Sequence, residues 1–588
     1  MSVRSAWLAS SLGFLMSLAF SSHAVCSEED AQEVPPIYET EEKVAAHLVL
    51  LNGKVVTVDE SQPEAEAVAI LHDQILAVGS DSLVSLYVGP ETRVIDLEGK
   101  LVVPGFIDAH AHFLSLGYSR MRLRLNEAKG WDDVVALVAA AASESKPREW
   151  ILGRGWHQEK WESIPADTVE GYPTHQTLSN VSPHNPVLMT HASGHASIAN
   201  AVAMKLVGVT ASTPDPEGGR ILRLGDGSPA GVFIETADEE MDEFVREDRA
   251  RRPPAEIEQE RRRAVSLAAQ ECLSKGVTSF QDAGSTFEEI DLLKKLSDED
   301  GLPVRLWVMV NEEVGALAQR LSEYKIIRMA KARLTVRAIK AHVDGALGSR
   351  SAWLLEPYED LPTSTGLSTM SADSLKAVAR LAMEHGFQLC THAIGDRANR
   401  EVLDAYENVF KEYPAEKDLR WRIEHAQHLH PSDVPRFREL GVIASMQPIH
   451  CTSDGPWVPQ RIGDRRAEEG AYVWKKLMNS GAVVSCGTDA PVESVDPIAN
   501  FYAAVTRRLP NGELFYPAQR MTREEALKAY TIDAAYAAFQ EGEKGSITRG
   551  KLADVVVLSK DILTVPQEEI LSTKVLYTIV GGEIVYQR

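Results

Sequence analysis

Strand-like apolar runs alternate with helix-like stretches through the middle of this 588-residue chain. Helix-like segments lie between several of these runs, for example at 373–385 and 431–440. Repeated strand–helix units favour a parallel sheet, and we therefore predict an α/β protein built on a TIM (β/α)8 barrel. The candidate barrel strands lie within 105–112, 276–283, 303–310, 334–345, 387–395, 422–427, 442–450 and 483–491.

The two ends of the chain share a different pattern. Residues 47–103 hold short β-rich runs separated by turn signals, and residues 545–588 have the same texture. Neither segment is long enough to bury a good core alone. We predict one small composite β-sandwich built from both chain ends, 47–103 plus 545–588, with the barrel in 104–544. Residues 113–270 are too long for one connection and predict an insertion over the barrel mouth.

The N-terminal residues indicate export. Arg4 precedes an uncharged, mostly apolar run at 6–20, and small residues follow at Ser22 and Ala24. This pattern predicts a signal peptide at 1–24 and a flexible, Glu- and Pro-rich leader at 25–46. The apolar run is shorter than the roughly 20 residues that span a bilayer. We expect a periplasmic or secreted protein; an N-terminal membrane anchor and lipidation of Cys26 are the alternatives.

The charge of the chain limits the classes of partner that we expect, and its cysteine content limits the kinds of metal site. Asp and Glu outnumber Lys and Arg by 85 to 61, which gives a formal net charge of −24. Such a chain is repelled by nucleic acids and anionic membrane surfaces, so we expect a small-molecule substrate and no stable membrane insertion. Whether the chain forms a homo-oligomer stays open. The 5 cysteines include no Cys-x-x-Cys spacing, which disfavours a thiolate metal site.

Histidine and aspartate stand at the ends of several predicted strands. His110 and His112 are two residues apart and share one strand face, while His392, His425 and Asp489 each end another strand. All carboxyl ends meet on one rim of a parallel barrel. Any one of these residues has a structural alternative, such as a core histidine or an Asp helix cap. Together they predict a site for one or two divalent metal ions, with Zn²⁺ the first choice.

Several motifs now point to a family. The segment 104–112 reads PGFIDAHAH and resembles the first-strand signature of the amidohydrolase superfamily. Other motifs narrow the resemblance to the amidohydrolase-3 branch, which includes N-substituted formamide deformylase-like enzymes. The resemblance runs from about residue 47 to the end. Those motifs lie at 153–156, 194–195, 344–345 with 348–350, 392–398, 422–427, 489–492, 545–547 and 550–554.

The resemblance implies a barrel plus composite sandwich and one or two divalent metals. By position, His110 and His112 would bind the more buried metal, and His392 and His425 the other. Asp489 would contact the buried metal and the nucleophilic water.

Lys340 matches the lysine that many members of this family carboxylate to bridge two metals. The alternatives are a surface-seeking lysine or a charge partner for Asp344. His342 shares the strand face of Lys340 by alternation and is a rival for the same role.

The resemblance also suggests residues beyond the metal ligands. His195 lies where relatives carry a Gly-His that contacts the substrate or oxyanion, and a packing histidine is its alternative. We therefore expect the catalytic set Asp489, His425 and His195. Trp156 is a candidate wall of the substrate pocket or a core tryptophan. Arg350 is a candidate partner for an anionic substrate or a member of a structural salt bridge.

Ser193 and His191 stand where many relatives have other residues, which affects the choice of substrate more than metal binding. His428, His430 and His450 are interpreted as loop or surface residues and left out of the site.

The expected activity is hydrolysis of a non-peptide carbon–nitrogen bond in a small amide- or formamide-like molecule. Metal-activated hydroxide would attack, and Asp489 would act as the general base. A deaminase, or a cyclic amide or lactone hydrolase of the same superfamily, uses similar machinery and is the alternative. A non-catalytic binding protein on this scaffold is the remaining hypothesis.

Overall fold

The computed structural model describes residues 44–588, apart from 126, 159–160, 163–164, 192–195, 217–218, 349 and the side chain of 235. The predicted signal peptide, the leader as far as residue 43, Cys26 and His195 lie outside the described residues. Among the helices of the described part, none is long and apolar enough to cross a membrane.

The predicted barrel is confirmed by a parallel sheet whose eight strands all lie within the described chain. Adjacent strands pair in chain order from the first to the eighth, and Ile326–Arg328 adds an antiparallel partner to the fourth. The eight strands are Phe106–Ala111, Val277–Ser285, Arg305–Val310, Leu334–His342, Gln388–Ala393, Arg422–His425, Ile443–Met446 and Val484–Cys486.

Polar contacts join the eighth strand back to the first. The backbone N–H and hydroxyl of Thr488 donate to the Asp108 carboxylate at 2.9 and 2.6 Å. The N–H of Asp489 donates to the carbonyl of His110 at 2.7 Å. These bonds bring the end of the last strand against the end of the first.

The barrel strands are buried on both faces because helices cover their outer side. Their near-continuous aliphatic and β-branched character is typical of parallel strands in this environment. The helices between and after the barrel strands, outside the insertion sheet, include Phe113–Met121, Pro254–Ser274, Phe287–Asp298, Val314–Arg320, Ala372–His385, Asp396–Glu412, Val434–Leu440, Pro448–Asp454, Val458–Gly470, Trp474–Asn479, Pro497–Thr506, Arg523–Ala529 and Ile532–Ala537.

The composite sandwich is also confirmed, because strands from both ends of the chain share one sheet. Leu101–Pro104 pairs in parallel with Lys54–Val56 and antiparallel with Val555–Leu558. That sheet continues through Glu64–Ala65, Val575–Val580 and Glu583–Gln587. The second sheet contains Leu48–Leu51, Ala67–Leu71, Gln74–Gly79 and Arg93–Asp96.

A separate sheet lies in the long stretch between the first and second barrel strands. Its strands within the described residues are Leu123–Arg124, Ile151–Trp156, Val187–His191, Ala196–Ala199, Gly219–Arg223 and Pro229–Glu235. The helices of this stretch include Trp131–Glu144, Gln176–Val181, Ala201–Val207 and Thr236–Ala250. That this insertion covers the barrel mouth stays a prediction.

Gly117 lies where two barrel helices come close together. A Cβ added there would lie 2.0 Å from the carbonyl oxygen of Ala264 in the helix Pro254–Ser274. We expect Gly117→Ala to reduce the free energy of unfolding by about 1–3 kcal/mol, because the helices must move apart. Urea unfolding followed by circular dichroism measures this change.

Gly315→Ala is the matched control, since Gly315 is also helical but has no neighbour within 4 Å of its added Cβ. There the substitution should raise stability by up to about 1 kcal/mol through helix propensity. Equal effects at the two positions would contradict the packing argument.

Candidate metal centre

Three of the predicted ligands converge at the seam between the first and eighth strands. The Nε2 atoms of His110 and His112 lie 3.6 and 3.2 Å from the same oxygen, Oδ1 of Asp489. His110 is fully buried, whereas the side chain of His112 is 30% exposed. The cluster therefore has a closed side at His110 and a side open to solvent at His112.

The other two predicted histidines stand beside this cluster. The His425 ring lies 4.6 Å from the His110 ring, and the His392 ring lies 4.5 Å from the His425 ring, measured between centroids. The structure thus brings together all five residues that the strand-end pattern selects.

Asp489 lies where the chain leaves the eighth strand. Its φ of 58° is in the left-handed region, which aspartate tolerates better than most residues. Burial would raise the pKa of Asp489, but the facing imidazoles of His112 and His450 outweigh burial and hold that pKa well below its usual range. The side chain is therefore an ionised carboxylate.

A buried carboxylate orients His110. Its Nδ1 lies 2.5 Å from Oε2 of Glu424, and the Nε of Arg422 lies 2.7 Å from the other oxygen of Glu424. Burial lowers the pKa of His110 to about 3, with the charge of Lys340 adding to the effect. The ring is consequently neutral with its proton on Nδ1, which leaves Nε2 as a ligand atom.

His425 is oriented in the same manner. Nδ1 of His425 lies 2.8 Å from Oε1 of Gln447, whose amide donates to the Ser445 carbonyl at 3.1 Å. This assigns the Nδ1 proton and frees Nε2 of His425. Nε2 of His392 lies 3.5 Å from Oδ1 of Asp344, but it is buried and has no hydrogen-bond partner among the described residues.

Lys340 is buried among these residues. Burial lowers its pKa, although the nearby Glu424 and Asp489 carboxylates favour its charged form. The rival residue His342 is only partly buried, with its ring centroid 5.4 Å from that of His392. The surface-seeking alternative for Lys340 therefore does not hold.

The donor set fits a divalent cation. Nε2 of His110 and Oδ1 of Asp489 are buried, and neither has a hydrogen-bond partner among the described residues. Buried polar atoms without partners are costly, and a cation between them satisfies both. Neutral imidazole nitrogens and a carboxylate are ligands that Zn²⁺ accepts.

The interpretation of His450 as a loop or surface residue outside the site is wrong. His450 is buried, and its Nε2 lies 3.2 Å from Oδ2 of Asp489. His450 comes four residues after the seventh strand, on the helix Pro448–Asp454, so an inspection restricted to strand ends misses it. His428 is also buried rather than on the surface, whereas His430 is exposed as expected.

Two candidate substrate residues have structural contacts. Trp156 is fully buried, and its indole N–H donates to the Met189 carbonyl at 2.8 Å, which favours the core alternative. Arg350 forms a salt bridge at 2.9 Å with Asp360, not with Asp344. His191, in the insertion, lies 3.1 Å from the side-chain oxygen of Gln158.

Comparison with known proteins agrees with this architecture. A family profile described as "Amidohydrolase family" matches residues 93–586. The chain belongs to the amidohydrolase family of hydrolases. It is 35% identical over 555 residues to "Protein LONG AFTER FAR-RED 3" of Arabidopsis thaliana, with 92% of each chain covered.

Two further proteins that resemble this chain are named as hydrolytic enzymes. The N-substituted formamide deformylase of Arthrobacter pascens is 28% identical over 550 residues, covering 92% of this chain and 98% of that one. A solved structure titled as an uncharacterized metal-dependent hydrolase from Pyrococcus furiosus superposes with a TM-score of 0.71 at 28% identity. The superposition covers 88% of this chain and 100% of the other.

Glu424 offers a test of the candidate metal centre. We expect Glu424→Gln to weaken metal binding by about 10- to 100-fold, because His110 loses the carboxylate that fixes its tautomer and orientation. Competition with a chromophoric chelator measures the affinity, and circular dichroism checks folding. Glu416→Gln, at an exposed glutamate, is the control and should leave the affinity unchanged.

Proposed function

We propose that this chain is a metal-dependent amidase that cleaves a non-peptide carbon–nitrogen bond in a small amide- or formamide-like molecule. The observation that carries the proposal is the convergence of His110 and His112 on one buried oxygen of Asp489, beside His425 and His392. The formamide deformylase of A. pascens supports the substrate class, since its name describes cleavage of this kind of bond.

The proposed ligands divide into two groups. His110, His112 and Asp489 would hold the more buried ion, for which Zn²⁺ is the first choice. His392 and His425 would hold a second ion. Lys340 lies buried near the Asp489 carboxylate, and its carboxylation by CO₂ would convert a cation into a bridging carboxylate.

When bound, a divalent cation polarises the scissile carbonyl and lowers the pKa of water towards neutrality. Asp489 is ionised at neutral pH and accepts the proton from the attacking water. The same carboxyl group then returns that proton to the departing nitrogen, which leaves as an amine. His425, oriented by Gln447, lies beside His110.

Solvent exposure indicates where the substrate would enter. The side chains of His110 and His425 are buried, whereas that of His112 is partly exposed. A small molecule would therefore approach from the His112 side. His195 belongs to the same proposal as a group that contacts the substrate or its oxyanion.

A substrate panel tests the activity. Zn²⁺-loaded protein should hydrolyse at least one compound among N-formyl amines, N-acyl amines, hydantoins and lactones, and removal of the metal by a chelator should abolish turnover. Release of a substituted amine plus an acid supports the amidase. Free ammonia would instead indicate a deaminase, and ring opening would indicate a cyclic amide or lactone hydrolase. Stoichiometric metal without turnover on any class would favour a binding protein.

Asp489 provides the mechanistic test. We expect Asp489→Asn to lower kcat by about 10²- to 10⁴-fold, because an amide cannot accept the proton from water. The histidine ligands should keep metal bound, which elemental analysis of the purified variant measures. Near-normal turnover of Asp489→Asn with full metal content would rule out the proposed base.

A further inference from the structure

His450 is held on a rigid element next to the seventh strand. The helix Pro448–Asp454 begins two residues after that strand, and the N–H of Ile449 donates to the Asn500 side chain at 3.1 Å. Asn500 is itself buried, and its amide donates to the carbonyl of Asp496 at 3.2 Å. The backbone directly before His450 is therefore anchored to the helix Pro497–Thr506.

The two oxygens of Asp489 face different imidazoles. Oδ2 lies 3.2 Å from Nε2 of His450, and Oδ1 lies 3.2 Å from Nε2 of His112. The terminal torsion of an aspartate side chain is broad, so a single contact does not fix the plane of the carboxylate. The contact from His450 on the second oxygen restricts that rotation.

We propose that His450 is a positioning residue that fixes the carboxylate plane of Asp489 by donating its Nε2 proton to Oδ2. This inference rests on the proposed function, in which Asp489 transfers a proton. With Oδ2 held, Oδ1 stays directed between His110 and His112. Misplacement of a reacting group by about 1 Å can cost about 100-fold in rate, so loss of this hydrogen bond should act on turnover.

His450 has a rival role as a metal ligand. His425, His450 and Asp489 each offer one atom, and these three atoms lie within 4.8 Å of one another. Nε2 of His450 and Oδ2 of Asp489 form a hydrogen bond with each other, whereas Oδ1 of Asp489 has no hydrogen-bond partner among the described residues and is left for a cation, which favours the positioning role. The carboxylates of Asp454 and Glu493 also lie near His450, and Tyr472 donates to Asp454 at 2.7 Å.

A matched pair of variants separates these roles. The amide nitrogen of glutamine can take the place of Nε2, so His450→Gln keeps a donor, whereas His450→Met has a similar length and no donor. We expect His450→Met to lower kcat by about 10- to 100-fold with KM changed less than about 3-fold. His450→Gln should recover most of that loss. Both variants should retain the metal content of the unmodified protein.

A second readout does not depend on turnover. In Co²⁺-loaded protein, the visible absorption reports on the ligands around the ion, and it should change in His450→Met but not in His450→Gln. A crystal structure of His450→Met should show the Asp489 carboxylate rotated. If the unmodified protein hydrolyses nothing, the proposed function fails, while these two measurements still test the positioning role.

Three outcomes would overturn the inference. Loss of metal in both variants would make His450 a ligand. Equal loss of kcat in both, with metal retained, would show that the hydrogen bond is not what matters. Unchanged kcat and an unchanged Co²⁺ spectrum in His450→Met would remove any role for the contact. His430→Gln, at an exposed histidine, is the control for the substitution itself and should leave every readout unchanged.

Discussion

A buried guanidinium crosses the barrel interior and joins strands that are not neighbours. Arg422 on the sixth strand donates to Gln281 on the second and to the Ala109 carbonyl on the first, both at 2.5 Å. It also donates to the Ser445 hydroxyl on the seventh strand at 2.9 Å and pairs with Glu424 at 2.7 Å. A buried charge is tolerated only when it is paired and fully hydrogen-bonded, so the strand positions and the network constrain each other. Because Glu424 in turn holds His110, the order of the candidate metal centre depends on this network.

The strand-end residues could be predicted because a parallel barrel brings all carboxyl ends to one rim. The details of the sixth strand could not. Simple alternation places Glu424 and His425 on opposite faces, yet Glu424 contacts His110 and the His425 ring lies 4.6 Å from the same imidazole. A φ of 75° at His425 breaks the alternation and turns both side chains inward. That backbone change carries no clear signal in the residue types.

Contacts supplied by distant segments were equally hard to foresee. His450 lies on a helix, outside the strand periodicity that selects the candidate ligands, and only the closed barrel brings it to Asp489. Motif position makes Arg350 and Trp156 candidate substrate residues, but their contacts are with Asp360 and with the insertion sheet. Choice of substrate depends on such loops, which is why the chemistry is easier to predict from the sequence than the molecule it acts on.

The shared sheet of the sandwich has a consequence for how the protein is made. Val103 cannot meet Val556, nor Lys54 meet Asp561, until the last part of the chain has left the ribosome. Until then the edge of Leu101–Pro104 is an unpaired apolar strand directly before the first barrel strand. Unpaired edges of this kind are prone to aggregation, and this edge can be covered only near the end of translation. Once the C-terminal strand Val555–Leu558 pairs with Leu101–Pro104, the two end segments of the chain stabilise each other.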